Sequence, residues 1–335
     1  MAEKDYILQV KDLQKYYPIK TALGNVKGYN KAVDGVSFNI ERGKTLGLVG
    51  ESGCGKSTLL KSLIRLLPSN AKIEKGEIDY QNRDLLKLSN EELRQIRGKE
   101  ISMVFQNSGA SLCPIRTIEK QFIEAAKSHE DLSKEEIRKL IEYIFSKINL
   151  KDVDRILKSY PFELSGGMNQ RVGIALAMLS KPSLILADEP TSALDVTAQA
   201  QVVKTLMKLR DSFKTSIIII THNMGVVSFM VDKVAVMYGG KIVEYGRKKD
   251  IIHNPLHPYT QMLIKSTPSM KPSKLLGIPG NPPSFEEERK GCAFASRCNK
   301  AFEKCFIEEP LPSNCKSSIV SCHLYKEVIA EEIIV

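Results

Sequence analysis

The sequence has no apolar run long enough to cross a bilayer. Stretches such as Val172 to Leu179 stop far short of the ~20 residues that a spanning helix needs. Any membrane role read from this chain is therefore peripheral. The N-terminus, Met-Ala-Glu-Lys-Asp, lacks the basic-then-apolar order of a secretory signal, so the expected compartment is the cytosol. Internal repeats and low-complexity segments are missing as well. Acidic residues are in deficit, 39 Asp and Glu against 49 Lys and Arg, for a net charge of +10. That balance suits nucleic acid, an anionic membrane surface, phosphates or simply a lysine-rich solvated face, and does not choose among them. Cysteines number seven and are unevenly placed: Cys54 and Cys113 stand apart, while Cys292, Cys298, Cys305, Cys315 and Cys322 crowd the tail. In a cytosolic chain they argue for metal or redox chemistry over structural disulfides. A length of 335 residues allows one large domain with an appendage, or two domains.

What is present organises around Gly50-Glu51-Ser52-Gly53-Cys54-Gly55-Lys56-Ser57-Thr58. A short apolar run, Thr45 to Val49, precedes it, and a helical pattern, Leu59 to Leu67, follows. Strand, glycine-rich turn and helix in that order is the context of a phosphate-binding P-loop. The backbone curls until successive N–H groups point at the phosphates, at the positive end of the next helix. Gly50, Ser52, Gly53, Cys54, Gly55 and Thr58 are candidate phosphate contacts. Lys56 would reach the β- and γ-phosphates, and the Ser57 hydroxyl would ligate Mg²⁺. The pattern implies a nucleoside triphosphate site. A cysteine at a helix start also favours its thiolate, so Cys54 is expected to react with maleimide unless MgATP covers it.

Tyr6 to Leu13 and Val33 to Ile40 pattern as strands of an antiparallel layer, joined through a polar, glycine-bearing loop from Lys20 to Asn30. Tyr16 and Tyr17 lie just upstream of the nucleotide motif, where an aromatic can stack on adenine or pack on the sheet. Gly76 to Tyr80 and Ile101 to Phe105 are further strands, the second ending at Gln106, whose carboxamide would touch Mg²⁺ or the attacking water. From Thr117 to Leu157 the period becomes helical, with Ile137, Leu140, Ile141, Ile144 and Phe145 on one face. Ser165 is a candidate N-cap, and Gly166-Gly167 would bare that helix start for a second anion. Leu184 to Ala187 reads as a buried parallel strand delivering Asp188 and Glu189. Adjacent buried carboxylates are expensive unless used: Asp188 would hold Mg²⁺ through water and Glu189 would polarise the attacking water. Ser192-Ala193-Leu194-Asp195 opens a helix from Val196 to Leu209. Ser216 to Ile220 is a strand carrying His222 at its C-terminal end, a candidate γ-phosphate sensor. Val234 to Tyr238 and Lys241 to Tyr245 form a hairpin about Gly239-Gly240. After Pro255 the composition shifts, and Pro258, Pro268, Pro272, Pro279, Pro282, Pro283, Pro310 and Pro312 mark a loop-rich tail.

In this order, Gly50 to Ser57, Gln106, Ser165-Gly-Gly-x-x-Gln170, Asp188-Glu189, Ser192 to Asp195 and His222 resemble the P-loop, Q-loop, signature, Walker B, D-loop and switch histidine of ABC-transporter ATP-binding subunits. The resemblance implies an α/β fold: a P-loop NTPase domain with a RecA-like core, an N-terminal antiparallel β layer and a helical insert. It places that domain over residues 5–255, with the helical subdomain at about 107–164. Tyr17 resembles the adenine-stacking aromatic, with Tyr16 as the fallback. His257-Pro-Tyr-Thr, Ile278-Pro-Gly-Asn-Pro-Pro283 and Gly291-Cys-x-Phe-x-x-Arg297-Cys298 narrow the resemblance to the oligopeptide, dipeptide and nickel importer subfamily. Residues 256–335 then form a small Cys- and Pro-rich C-terminal module. Clustered thiolates accept an iron–sulfur cluster or Zn²⁺ equally well by spacing. The resemblance implies a [4Fe–4S] cluster on Cys292, Cys298, Cys305 and Cys322, with Cys315 spare.

The resemblance further implies that ATP is glued between two such subunits. Lys56 and Glu189 of one would face Ser165, Gly166 and Gly167 of the other, and Asp195 is a further candidate nucleotide-binding residue. A paralogous ATPase subunit, two membrane permeases and an extracytoplasmic binding protein are the implied partners, at the cytoplasmic face of the membrane. The sequence departs from the subfamily at Asn169 and Asn223, neither of which bears the chemistry, and at Asn107-Ser-Gly-Ala110, a departure expected to reflect a different membrane partner. A second reading is a soluble ABC ATPase acting on nucleic acid or ribosomes. Such proteins commonly carry two cassettes or a coiled-coil insert, and this chain has neither, so no nucleic acid partner is expected. Nickel or another small solute is the alternative cargo.

Overall fold

Alternating apolar residues in the first forty positions build two long strands. The first, β1 (Tyr6–Lys20), buries Ile7, Leu8, Val10 and Leu13, and the second, β2 (Val26–Glu41), buries Val33, Val36, Phe38 and Ile40. Both outrun the expected Tyr6 to Leu13 and Val33 to Ile40. Most of the segment expected as a loop from Lys20 to Asn30 is strand, because Tyr16, Tyr17, Ile19, Val26 and Tyr29 favour extended backbone on both sides of it. The computed structural model describes residues 5–21, 25–68, 72–192, 194–266, 277–283, 290–315 and 318–325. Ala193, Pro268, Pro272 and the first four residues lie outside these.

Next come β3 (Thr45–Val49), buried throughout, and α1 (Lys56–Leu63), which stops short of Leu67 where the chain leaves helical backbone at Ile64. They are followed by β4 (Lys72–Tyr80), β5 (Arg83–Asp84), α2 (Asn90–Ile96), β6 (Ile101–Val104) and α3 (Ser108–Ser111). The expected helical insert is broken into α4 (Ile118–Lys127), α5 (Lys134–Lys147) and α6 (Val153–Lys158). A capping box of Ser133 with Glu136 starts α5, and left-handed Asn149 and Asp152 separate it from α6. Phe122 and Phe145 meet edge to face at 5.7 Å on the apolar seam between α4 and α5. After α7 (Gly166–Ala177) and β7 (Leu184–Asp188), α8 (Val196–Phe213) continues a turn beyond Leu209 to left-handed Lys214. The remainder is β8 (Ser216–Ile220), α9 (Met224–Met230), β9 (Lys233–Tyr238), β10 (Lys241–Arg247), α10 (Lys248–His253), α11 (Pro258–Lys265), α12 (Glu303–Ile307), β11 (Pro312–Cys315) and β12 (Ser318–Ser321).

The chain folds as two compact units. One comprises the N-terminal residues through Ile7, Glu41–Thr45 and Lys87–Thr221. Here β6, β7 and β8 run parallel, with Ile101 opposite Leu184 and Leu184 opposite Ser216, so the links between them must cross over, through α7 and α8. Every residue of β7 and β8 is buried, as expected for parallel strands covered on both faces.

The other unit comprises Leu8–Ile40, Leu46–Leu86 and the chain from His222 onward. It holds an antiparallel sheet in the order β2-β1-β4-β5 and a ladder β11-β12-β10-β9-β3. β9 is parallel to β3, pairing Leu48 with Ala235, and forms the expected hairpin with β10. The tail extends this ladder: β12 pairs antiparallel with β10, Tyr245 opposite Ile319. Among the described residues no helix is long and apolar enough to cross a membrane.

Candidate nucleotide site and the C-terminal cysteines

The P-loop is shaped by close approach of backbone to backbone. Gly50 (φ +154°) would place a Cβ 2.2 Å from the Met237 carbonyl oxygen, and Gly55 (φ +105°) would place one 2.0 Å from that of Ala32. Only glycine fits either position. Gly55 also precedes α1, whose start carries no side-chain cap, and its first turn is where an anion would bind. Lys56 is buried, its ammonium donating to the Gly50 and Glu51 carbonyl oxygens at 2.8 Å each. The cation thus lies inside the loop, where a phosphate would need it. Ser52, Gly53 and Ser57 are exposed on the loop and the first turn.

Cys54 differs from the expectation of a reactive thiolate. Its side chain is 5% exposed, and burial pushes the thiol pKa up despite the neighbouring Lys56 ammonium. A buried neutral thiol is the less reactive species, so burial works against the expected thiolate. Its place in the loop is held by the main chain: its N–H donates to the Glu51 carbonyl at 3.4 Å and its carbonyl accepts from Gly240 N–H at 3.1 Å.

Of the two candidate aromatics, Tyr16 is committed to a polar network. Its hydroxyl donates to Asp34 at 2.5 Å, and Asp34 also pairs with Lys241, 2.9 Å away. Burial, and then the Asp34 carboxylate, raise the phenol pKa far above its usual value. Tyr17 is half-buried, with the Lys15 ammonium 4.1 Å from its ring centroid.

In the unit holding β6, β7 and β8, the strands deliver the expected carboxylates. Asp188, the last residue of β7, is buried, and Glu189 follows in the left-handed region at φ +44°. For a non-glycine residue that conformation costs roughly 1–2 kcal/mol. The Glu189 N–H donates to the Ile220 carbonyl at 3.1 Å, tying the turn to the end of β8. Gln106, one residue beyond the start of the loop after β6, donates from Nε2 to Glu189 Oε2 at 3.4 Å, so these two candidates meet.

Gln170 has a role that the sequence did not disclose. Buried on α7, it donates to the Phe105 carbonyl and accepts from the Ser108 N–H, each at 3.3 Å, bracketing Gln106 from both sides. The start of α7 is capped by Ser165, which accepts from Met168 N–H at 3.3 Å. Gly166 and Gly167 approach Leu194 and Ala198. Asp195 caps α8 by accepting from Ala198 N–H at 2.9 Å. His222 is solvent-exposed, two positions beyond β8 in the chain.

In the tail, Cys292, Cys298, Cys305 and Cys322 line one small cavity of about 10 Å³, with His257 and Phe294, whereas Cys315 does not. Burial raises the Cys292 thiol to about 11, and the thiols of Cys322, Cys305 and Cys298 push it the same way. His257 is buried, its Nδ1 accepting from Tyr259 N–H at 3.0 Å, and its Nε2 has no hydrogen-bond partner. Four soft donors and an orphaned imidazole nitrogen around one cavity suit a thiophilic centre. As packed, the space holds roughly one water, so the thiols must part to admit a metal. Among the described residues no group of three or more His, Cys, Asp or Glu stands at metal-binding separations.

A P-loop closing on a buried lysine, and a parallel strand ending in paired carboxylates, define a P-loop nucleoside triphosphatase. The ABC transporter family matches residues 33–192, and the oligopeptide/dipeptide transporter C-terminal region matches residues 243–305. The oligopeptide transport ATP-binding protein AppD of Bacillus subtilis (strain 168) is 42% identical over 97% of this chain and 99% of its own length. The oligopeptide transport ATP-binding protein OppD of Escherichia coli (strain K12) is 39% identical over 96% of this chain and 94% of its own length. Among solved structures, the ADP- and Pi-bound dimer of the ATP-binding cassette MJ0796 superposes with a TM-score of 0.63 at 28% identity, covering 72% of this chain and 98% of that one. This chain belongs to the ABC transporter family of ATP-binding proteins, and its fold is an ABC ATPase fold.

Proposed function

We propose that this chain is the ATP-binding and ATP-hydrolysing subunit that powers a membrane importer of oligopeptides or dipeptides, working at the cytoplasmic face. One observation carries the reading: a single chain joins the ABC ATP-binding family to the oligopeptide/dipeptide transporter C-terminal region. The ATP-binding domain spans 5–255, with its helical subdomain at about 107–164, and the tail module spans 256–335. ATP lies on Gly50, Ser52 to Thr58 and Tyr17, with Mg²⁺ held by Ser57, Gln106 and Asp188. Glu189 polarises the attacking water and His222 senses the γ-phosphate. Ser165, Gly166 and Gly167 come from a second, paralogous ATPase subunit, and Asp195 is a further nucleotide-site residue. Two permeases and an extracytoplasmic binding protein complete the assembly. A cavity of about 290 Å³ flanked by Phe105, Ser108, Ala125, His129 and Leu176 supports a permease contact beside the Gln106 loop. Reconstituted with its permeases and binding protein in vesicles, the chain should drive ATP-dependent peptide uptake. Hydrolysis that responds to RNA or ribosomes and not to peptide would favour the soluble ATPase reading.

Under the same reading Cys292, Cys298, Cys305 and Cys322 hold a [4Fe–4S] cluster, zinc being the alternative. The convergence of these four thiols on one cavity that excludes Cys315 supports the ligand set. Bound there, such a centre would staple α12 and the turn from Cys292 to Cys298 onto β12. Anaerobically purified protein should carry about four irons per chain and little zinc. Cys315→Ser should keep the metal and Cys298→Ser should lose it. Zinc under those conditions would overturn the cofactor, and full metal retention in Cys298→Ser would overturn the ligand set.

A further inference from the structure

The P-loop carries a charge that its ligand would oppose. Glu51 follows Gly50 directly, so a carboxylate sits at the mouth of a loop meant for a polyanion. The tail answers it. Arg297, with a side chain only 4% exposed, donates from Nη1 to Glu51 Oε2 at 2.7 Å and from Nη2 to Glu51 Oε1 at 3.0 Å. Its remaining donors are used as well: Nε reaches the Pro279 carbonyl at 2.7 Å, Nη1 the Tyr238 hydroxyl at 3.1 Å and Nη2 the Ile278 carbonyl at 3.3 Å. All five guanidinium N–H groups are therefore satisfied, and the planar fork has one orientation. The tail also holds the main chain of the same residue, since Glu51 N–H donates to the Tyr259 hydroxyl at 2.8 Å.

The clamp rests on an aromatic cluster. Tyr238, Tyr259 and Phe294 pack with ring centroids 4.6, 5.1 and 5.3 Å apart. Arg297 closes a short helical turn, Ala295–Arg297, donating its own N–H to the Phe294 carbonyl at 3.0 Å. Cys298 comes next, so the arginine is presented by the cysteine-bearing turn.

We infer that Arg297 is a positioning residue of the nucleotide site: it neutralises Glu51 and anchors the first turn of the P-loop, so that the C-terminal module sets the affinity for MgATP. This rests on the P-loop reading given above. A buried charge pair that loses one partner leaves the other unpaired, which is the costly case. In Arg297→Met the bare Glu51 carboxylate should repel the triphosphate and raise the Kd and KM for MgATP by at least about tenfold, with a smaller change in kcat. Arg297→Lys keeps the charge but not the fork, and should show a smaller loss.

The test uses the full chain, with fluorescent ATP-analogue binding, steady-state kinetics and thermal melting on each variant. Adding Glu51→Gln to Arg297→Met removes the carboxylate that needs a counter-charge, and should recover most of the lost affinity. A folded Arg297→Met with wild-type affinity would overturn the inference. So would a double variant as weak as the single one, because the arginine would then be only a structural staple. Should Arg297→Met not fold, wild-type affinity in Arg297→Lys, or a folded double variant that binds far more weakly than Glu51→Gln alone, would overturn it as well. Lys56→Ala binding the analogue like wild type would instead overturn the P-loop reading, and this inference with it.

Discussion

Glu189→Gln should bind MgATP as wild type does and hydrolyse it at least about two orders of magnitude more slowly. The amide keeps the size of the side chain and its ability to accept from Gln106, 3.4 Å away, while losing the charge proposed to polarise water. Geometry supports a specialised position: a non-glycine residue in left-handed backbone immediately after a fully buried strand stores strain that packing must hold. The Glu189 N–H bond to Ile220 is one such hold, and the substitution leaves it intact. The measurement is phosphate release by the assembled transporter, alongside nucleotide binding by the same preparation. Wild-type turnover in Glu189→Gln would remove the residue from its proposed role. Loss of binding with loss of turnover would point to a structural carboxylate.

Gly55→Ala should be among the most damaging single methyls at the described glycines. The added carbon would lie 2.0 Å from the Ala32 carbonyl oxygen and 2.8 Å from Met237 Cε, on a backbone at φ +105°. Overpacking and left-handed strain together cost roughly 3 kcal/mol or more, about 10 °C in Tm for a domain of this size. Because Gly55 is the residue before α1, the loop cannot relax without moving the helix start, and MgATP binding should fall with stability. Gly53→Ala separates the two causes. Its φ is +79°, but nothing lies within 4 Å of its added carbon, so only the strain is paid, roughly 1 kcal/mol. Melting curves for the pair decide it. If Gly55→Ala melts no lower than Gly53→Ala, close approach to Ala32 does not shape the loop.

Much of this protein was legible in the residues because phosphate chemistry leaves little choice. A triphosphate needs converging N–H groups and a lysine, which demand glycines at set spacing, and a buried strand ending in Asp188-Glu189 is too costly to be incidental. Fully buried parallel strands announce themselves as apolar runs, and β8 matches Ser216 to Ile220 residue for residue. Strand lengths at the N-terminus and the breaks in the helical insert were less legible, since capping boxes and left-handed single residues act locally against a continuous period. What the tertiary structure alone decided depends on distance along the chain. Arg297 and Glu51 are 246 residues apart, and neither spacing nor composition pairs them. His257-Pro-Tyr259-Thr and Cys292 to Cys298 could be read as motifs, but not that one supplies a hydroxyl and the other a guanidinium to the P-loop. Gln170 likewise needed α7 packed against the loop after β6 before its amide had anything to hold. The burial of Cys54 is of the same kind: a helix start favours a thiolate only when water reaches it, and burial is settled by the fold.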